Sequence, residues 1–121
     1  MAHLRERLAA AQAVVLVTPV QHGSYAGALK NLLDHAPRAA LRDKAVLVAA
    51  TGATLHTGAT ACDHLRAVVR SMGGWSVPTQ LVAERAELIV DPPERLTDRV
   101  DRAVSQLLQV ARLLSPAAAA A

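Results

Sequence analysis

The residues with the most chemical promise lie in two short stretches, "TPVQHGSYAG" from Thr18 to Gly27 and "TGATLHTG" from Thr51 to Gly58. Both are rich in Gly, Ser and Thr, and neither contains Asp, Glu, Lys or Arg. Paired-carboxylate chemistry has no residues to use here. What these stretches offer is backbone N–H groups that glycines leave open to close approach, with hydroxyls beside them. Ser24 does not sit in a nucleophile elbow, because G-x-S-x-G would need glycines where His22 and Ala26 stand. It is expected to cap a helix or touch a ligand. His22 reads equally well as a ligand contact or a solvated loop residue, and Tyr25 as a ligand wall or helix packing.

Other reactive residues give weaker patterns. Cys62 and His64 are two apart, so on a helix they point in different directions and form no dyad. His56, Asp63 and His64 match no zinc spacing. No G-x-x-x-x-G-K-[ST] loop occurs, and Gly23 with Gly27 is not a dinucleotide fingerprint. Arg66 and Arg70 lie one turn apart, either on a solvated helix face or placed to meet a nucleotide phosphate.

The elements that must position these residues follow from the apolar patterning. Ala13 to Thr18 and Ala45 to Ala50 are unbroken apolar runs, the pattern of parallel strands buried on both faces. Between them Ala26 to His35 carries Leu29, Leu32 and Leu33 at helical spacing, which gives a right-handed strand–helix–strand crossover. A second helix is predicted over Ala59 to Met72, stopped by Gly73-Gly74, and a third strand over Thr79 to Ala83. Asp91 is predicted to cap a last helix with Pro92 in its first turn. That helix has the stripe Leu96, Val100, Val104, Leu107, Leu108, Ala111 and Leu114. Leu4 to Ala11 reads as a short leading helix. The predicted architecture is α/β, about three parallel strands with helices on both faces. Loops leaving strand C-termini then share one edge, where ligands of open α/β sheets collect.

At 121 residues the chain is expected to be one domain over residues 1–115, with a disordered alanine-rich tail over 116–121. The net charge is +3, but the arginines are scattered among acids and Tyr25 and Trp75 are the only aromatics. That argues against nucleic-acid binding, which concentrates basic charge and adds stacking rings. The lone Cys62 fits a reducing compartment. Glu6 and Gln12 interrupt any export signal, and no stretch is long enough for a membrane span. A cytoplasmic location is expected, without membrane association or a metal site.

The strings "TPVQHGSYAGALKNLLD", "LRDKAVLVAATGA" and "LRAVVRSMGGWSVPTQLV" resemble the NAD(P)H-dependent FMN reductases of the flavodoxin-like fold, over about Ala13 to Ala83. The resemblance implies an oxidoreductase that binds FMN and uses NADPH or NADH. The reduced flavin could supply a flavin-dependent monooxygenase. In that family the first loop contacts the isoalloxazine ring, which here would be Pro19, Val20, Gln21, His22, Gly23, Ser24 and Tyr25. The second loop, here Thr51, Gly52 and Ala53, would close the other side or the pyrimidine end. Hydride passes from nicotinamide to flavin, so the protein orients and the cofactor reacts. No catalytic side chain is therefore expected.

Two departures from the family pattern shape the expectations. Gln21 stands where an aromatic is common. The family also opens with a strand and a Ser/Arg-rich loop holding the FMN phosphate, and this sequence starts after them. Charge-assisted hydrogen bonds contribute roughly 1.5–3 kcal/mol each, so about four are worth at least ~6 kcal/mol. That corresponds to roughly ten-thousandfold in affinity, so FMN binding is expected to be weak or partner-dependent. The strand at 13–18 is expected to be a sheet edge that pairs with another chain, in a homo-oligomer or with a partner protein. Two alternatives stay open: a flavin-free subunit serving as a binding partner, and a cofactor-independent enzyme in the same crevice.

Overall fold

The apolar run near the middle of the chain becomes the centre of a parallel sheet, flanked on one side by the first run and on the other by two short segments. In a computed structural model, which describes residues 1–89 and 91–115, the elements in order are α1 (Ala2–Ala10), β1 (Ala13–Pro19), α2 (Gly27–Asp34), β2 (Ala45–Gly52), α3 (Leu55–Ser71), β3 (Trp75–Ser76), β4 (Leu81–Glu84), a 3-10 turn (Arg85–Leu88) and α4 (Glu94–Leu113). The tail expected to be disordered, 116–121, lies outside the described residues.

β1 pairs with β2 in parallel from Ala13–Ala45 to Pro19–Thr51. On the far side of β2, β3 pairs with Ala45–Val46 and β4 with Ala49–Gly52. The third strand is thus two pieces interrupted around Pro78, which has no N–H to give to a ladder. Thr79 and Gln80 lie before β4, whereas Trp75 and Ser76 supply a segment that the patterning did not mark.

Two cores form on the two faces of the sheet. Leu16, Val46, Val48 and Ala50 pack against Leu33 of α2 and Ala61, Cys62, Leu65 and Val69 of α3. On the other face Ala45, Leu47 and Val77 pack against Ala103 and Leu107 of α4. β2 is buried on both faces, as its apolar run predicts. β1 is not. Val15 and Val17 are 48% and 57% exposed, because α4 covers Ala13, Leu47 and Val77 but does not extend over them.

The helix boundaries also differ from the sequence-based expectation. α3 begins at Leu55 rather than Ala59, with the Thr54 side chain accepting a bond from Thr57 N–H. α4 begins at Glu94 with Pro93 in the cap position and no side-chain cap. Pro93 disfavours helical backbone at Pro92, so Asp91 cannot cap this helix. Its buried stripe runs through Leu96, Ala103 and Leu107, leaving Val104 and Leu108 exposed. Arg99 and Gln106 donate and accept, respectively, to Val82 O and from Thr79 N–H on the β3–β4 side. Val104 and Leu108 therefore occupy the opposite flank, toward the bare face of β1.

The 3-10 turn after β4 carries Glu87, whose carboxylate is buried. It accepts from the Glu84 N–H at 2.8 Å and from Arg99 at 3.3 Å, with Arg95 at 3.5 Å. The backbone bond first, then Arg99, hold its pKa below the ordinary 4.5 despite the opposing effect of burial. A lowered folded-state pKa gives stability that is fully present above the ordinary value and lost as pH falls through the folded one. Denaturant unfolding from pH 6 to pH 2 is expected to show wild type losing more stability below pH 4.5 than Glu87→Gln does. Parallel acid limbs for the two proteins would show that this cluster contributes nothing.

Candidate functional site

Both sequence-predicted loops lie at the C-terminal rim of the sheet, and the backbone joins them. Val20 N–H donates to Thr51 O at 2.8 Å, one residue beyond the last β1–β2 pair. A Cβ added to Gly52 would lie 2.8 Å from Val20 Cγ2, so only glycine permits this closeness. The rim is therefore one surface built from two loops.

The first loop is a tight hairpin. Gln21 and Ser24 exchange N–H···O bonds of 2.9 and 3.1 Å across His22 and Gly23. Those two residues have φ of 47° and 78°, the paired positive values of a type I′ turn. Thr18, fully buried, closes the base. Its Oγ1 accepts from Ala26 N–H and donates to Pro19 O, both at 2.8 Å. The N–H groups of His22, Gly23 and Tyr25 make no hydrogen bond to any described residue. Gln21 and His22 are exposed, Val20, Gly23, Ser24 and Tyr25 are half-buried, and Pro19 is exposed at the strand end.

The second loop is shorter than its sequence implies. Thr51 and Gly52 finish β2, Ala53 is exposed, and α3 starts two residues later. Thr57 and Gly58 therefore belong to the helix rather than to the crevice.

Ser24 does not cap α2, whose cap residue is Ala26. Its hydroxyl instead hydrogen-bonds His64 Nδ1 at 2.7 Å, tying the hairpin to the middle of α3. From sequence, His64 is weighed only as a dyad or zinc partner, and no local signal could have paired it with a residue 40 positions away. Arg66 serves the scaffold: its guanidinium donates to Gln80, Val77 O and Pro78 O. That removes it as a phosphate ligand. Cys62 is buried on the core-facing side of α3, and burial pushes its thiol up to about 11, so it is not a nucleophile at neutral pH. Among the described residues no cluster of His, Cys, Asp and Glu could hold a metal ion. No described helix is long and apolar enough to cross a membrane.

The rim can thus present uncommitted amide donors and hydroxyls to a neutral polar ring, with Tyr25 as its one aromatic. Trp75 is at the other end of β2, paired with Ala45. These features fit the edge of a flavin ring, whose carbonyls and ring nitrogens need directed donors and no ionised partner.

The sequence profile of the NADPH-dependent FMN reductase family matches residues 1–87. An FMN-dependent NADPH-azoreductase of Staphylococcus aureus (strain USA300) is 39% identical over 88 residues, covering 72% of this chain and 46% of the relative. The chain thus spans about half the length of such curated relatives. An NADH:FMN oxidoreductase solved in its apo form superposes with a TM-score of 0.80 at 27% identity, covering 95% of this chain and 60% of that one. An oxidoreductase from Corynebacterium diphtheriae gives 0.81 at 25% identity, covering 91% and 60%.

The Val20–Gly52 contact generates a test of the fused rim. Gly52→Ala is expected to cost about 1–3 kcal/mol of unfolding free energy by overpacking. Adding Val20→Ala should recover most of that loss, which a double-mutant cycle in urea would measure. Additive effects of the two changes would mean that the loops do not press on each other.

Proposed function

The chain belongs to the NADPH-dependent FMN reductase family, and from that premise we propose that its rim holds the isoalloxazine ring of FMN for reduction by NADPH. The observation that carries this reading is the Val20–Thr51 bond, which fuses two uncharged loops into one slot. FMN, when bound, supplies the two-electron acceptor for nicotinamide hydride. The chain's own work is binding and orientation. The N–H groups of His22, Gly23 and Tyr25 face the polar edge of the ring, and Tyr25 walls one side. Ser24, held by His64, keeps the hairpin at a fixed height above the second loop. Thr51, Gly52 and Ala53 bound the opposite side. Neither loop carries a carboxylate or an ammonium group, which suits a reaction whose chemistry resides in the cofactor.

Onward transfer of the reduced equivalents, to a monooxygenase or to an azo compound like that implied by the azoreductase's name, belongs to the same proposal. So does a partner. The free edge of β1, with Val15, Val17, Val104 and Leu108 exposed beside it, is an apolar surface that a second copy of the chain or a partner subunit would cover. A buried free Cys62 suits the reducing cytoplasm.

Two measurements test this reading. Titrating the chain into FMN and riboflavin should quench both with affinities within about threefold, since the described rim contacts the ring rather than the phosphate. Gly23→Val, which forces a β-branched residue to a φ of 78°, should weaken both at least tenfold while circular dichroism shows the fold retained. Absence of quenching at millimolar chain would reject the flavin slot. Light scattering is expected to report a mass above that of one chain, and Val17→Lys should restore the monomer. A monodisperse monomer of wild type would remove self-association through this edge.

A further inference from the structure

Between α2 and α3, on the side facing away from the sheet, runs an open groove of about 620 Å³. One end is Tyr25, directly after the hairpin, and the other is Arg38, beyond the C-terminus of α2. The eight residues of α2 between them make the groove roughly 12 Å long. Its floor is apolar, from Leu33, Val68 and Met72.

The charges along its walls are unevenly committed. Lys30 and Asp34 are paired with each other at 2.7 Å. Nδ1 of His64 is taken by Ser24. Arg38 lines the groove with no hydrogen-bond or ion-pair partner among the described residues. The one carboxylate present is therefore already satisfied, and a planar five-donor cation stands free above an apolar floor. A guanidinium is the side chain best matched to a tetrahedral oxoanion, which it can grip through two N–H groups at once. Of the two arginines on α3, neither lines the groove, and Arg66 is consumed by Gln80 and two carbonyls on the opposite flank of that helix.

We infer that this groove binds an aromatic ring carrying a phosphate or sulfonate, with the oxoanion on Arg38 and the ring directed toward Tyr25. Only the use of the groove rests on the flavin reading; the binding itself does not. That chemistry has two sources for a reductase: the phosphorylated adenosine end of NADPH, or an aromatic acceptor bearing a sulfonate. Either would run from Arg38 along the apolar floor to the hairpin, where its reacting end meets the slot.

Calorimetry on the flavin-free chain, with adenosine 2′,5′-bisphosphate and naphthalene-2-sulfonate as probes, separates the outcomes. At least one probe should bind, and Arg38→Gln should weaken it at least tenfold. Ala67→Glu, which places a negative charge on the exposed α3 wall, should weaken it similarly. Arg70→Gln, outside the groove, should leave it unchanged. Binding of the bisphosphate with no binding of 5′-AMP identifies the reductant as the source, and binding of the sulfonate identifies the acceptor. The inference is overturned if neither probe binds at millimolar concentration, or if both groove variants bind as wild type does. Because no flavin is present, a chain that fails to bind FMN can still pass this test, and the reverse.

Discussion

The parallel pairing of β1 with β2 in a single register is the constraint from which the rest of the molecule follows. It sets Pro19 opposite Thr51, so the chain leaves both strands at the same height and Val20 reaches Thr51 O without a detour. A slip by one residue would turn Leu16 and Thr18 out of the core and bring Val15 and Val17 in. Thr18 could then no longer hold the Ala26 N–H, and the hairpin would lose its base. Pro19 is tolerated because it is the last residue of an edge strand, where a missing N–H costs little. The site is a consequence of register before it is a matter of side-chain chemistry.

Around that rim the charged groups are used elsewhere. Glu87 gathers Arg99 and Arg95 behind β4, and Arg66 straps α3 to the segment between β3 and β4. Arg99 and Gln106 fasten α4 to the same side. Each of these contacts satisfies a backbone or buried polar group that would otherwise be costly. What remains at the loop surface is uncharged and donor-rich, which favours a ligand recognised by shape and directed hydrogen bonds over one recognised by charge.

How much of this was legible in the sequence depended on how local each cause is. The α/β order, the central strand, the two rim loops and the family resemblance could all be read, because apolar periodicity and the loop string are local. The burial of β1 could not. Val14 to Val17 and Val46 to Val48 use the same residue types, and only the reach of α4 separates them. The early start of α3 was not read, because the Gly- and Thr-rich stretch from Thr51 to Gly58 looks like a loop. The structure explains Gly58 differently: a Cβ there would run into Val82 of β4, so the residue marks close helix–strand packing. The Ser24–His64 bond depends on how α3 crosses the hairpin, and nothing in the neighbourhood of either residue announces it.

The same asymmetry between β2 and β1 bears on how the rim holds its shape. β2 is fixed by cores on both faces and by pairing along both edges, and at its end Thr51 pairs with Pro19 on one side and Ala83 on the other while Gly52 pairs with Glu84. β1 has one paired edge and one covered face, so the hairpin it carries relies on Thr18, Val20 and the tie from Ser24 to His64. Thr18 closes the base of the loop, and the Val20 and Ser24 contacts join it to β2 and α3, its better supported neighbours. Covering Val15 and Val17 would add apolar burial directly beneath the hairpin. On the proposed reading, a surface docked on β1 would stiffen the hairpin from below and so link assembly to ring binding through one strand.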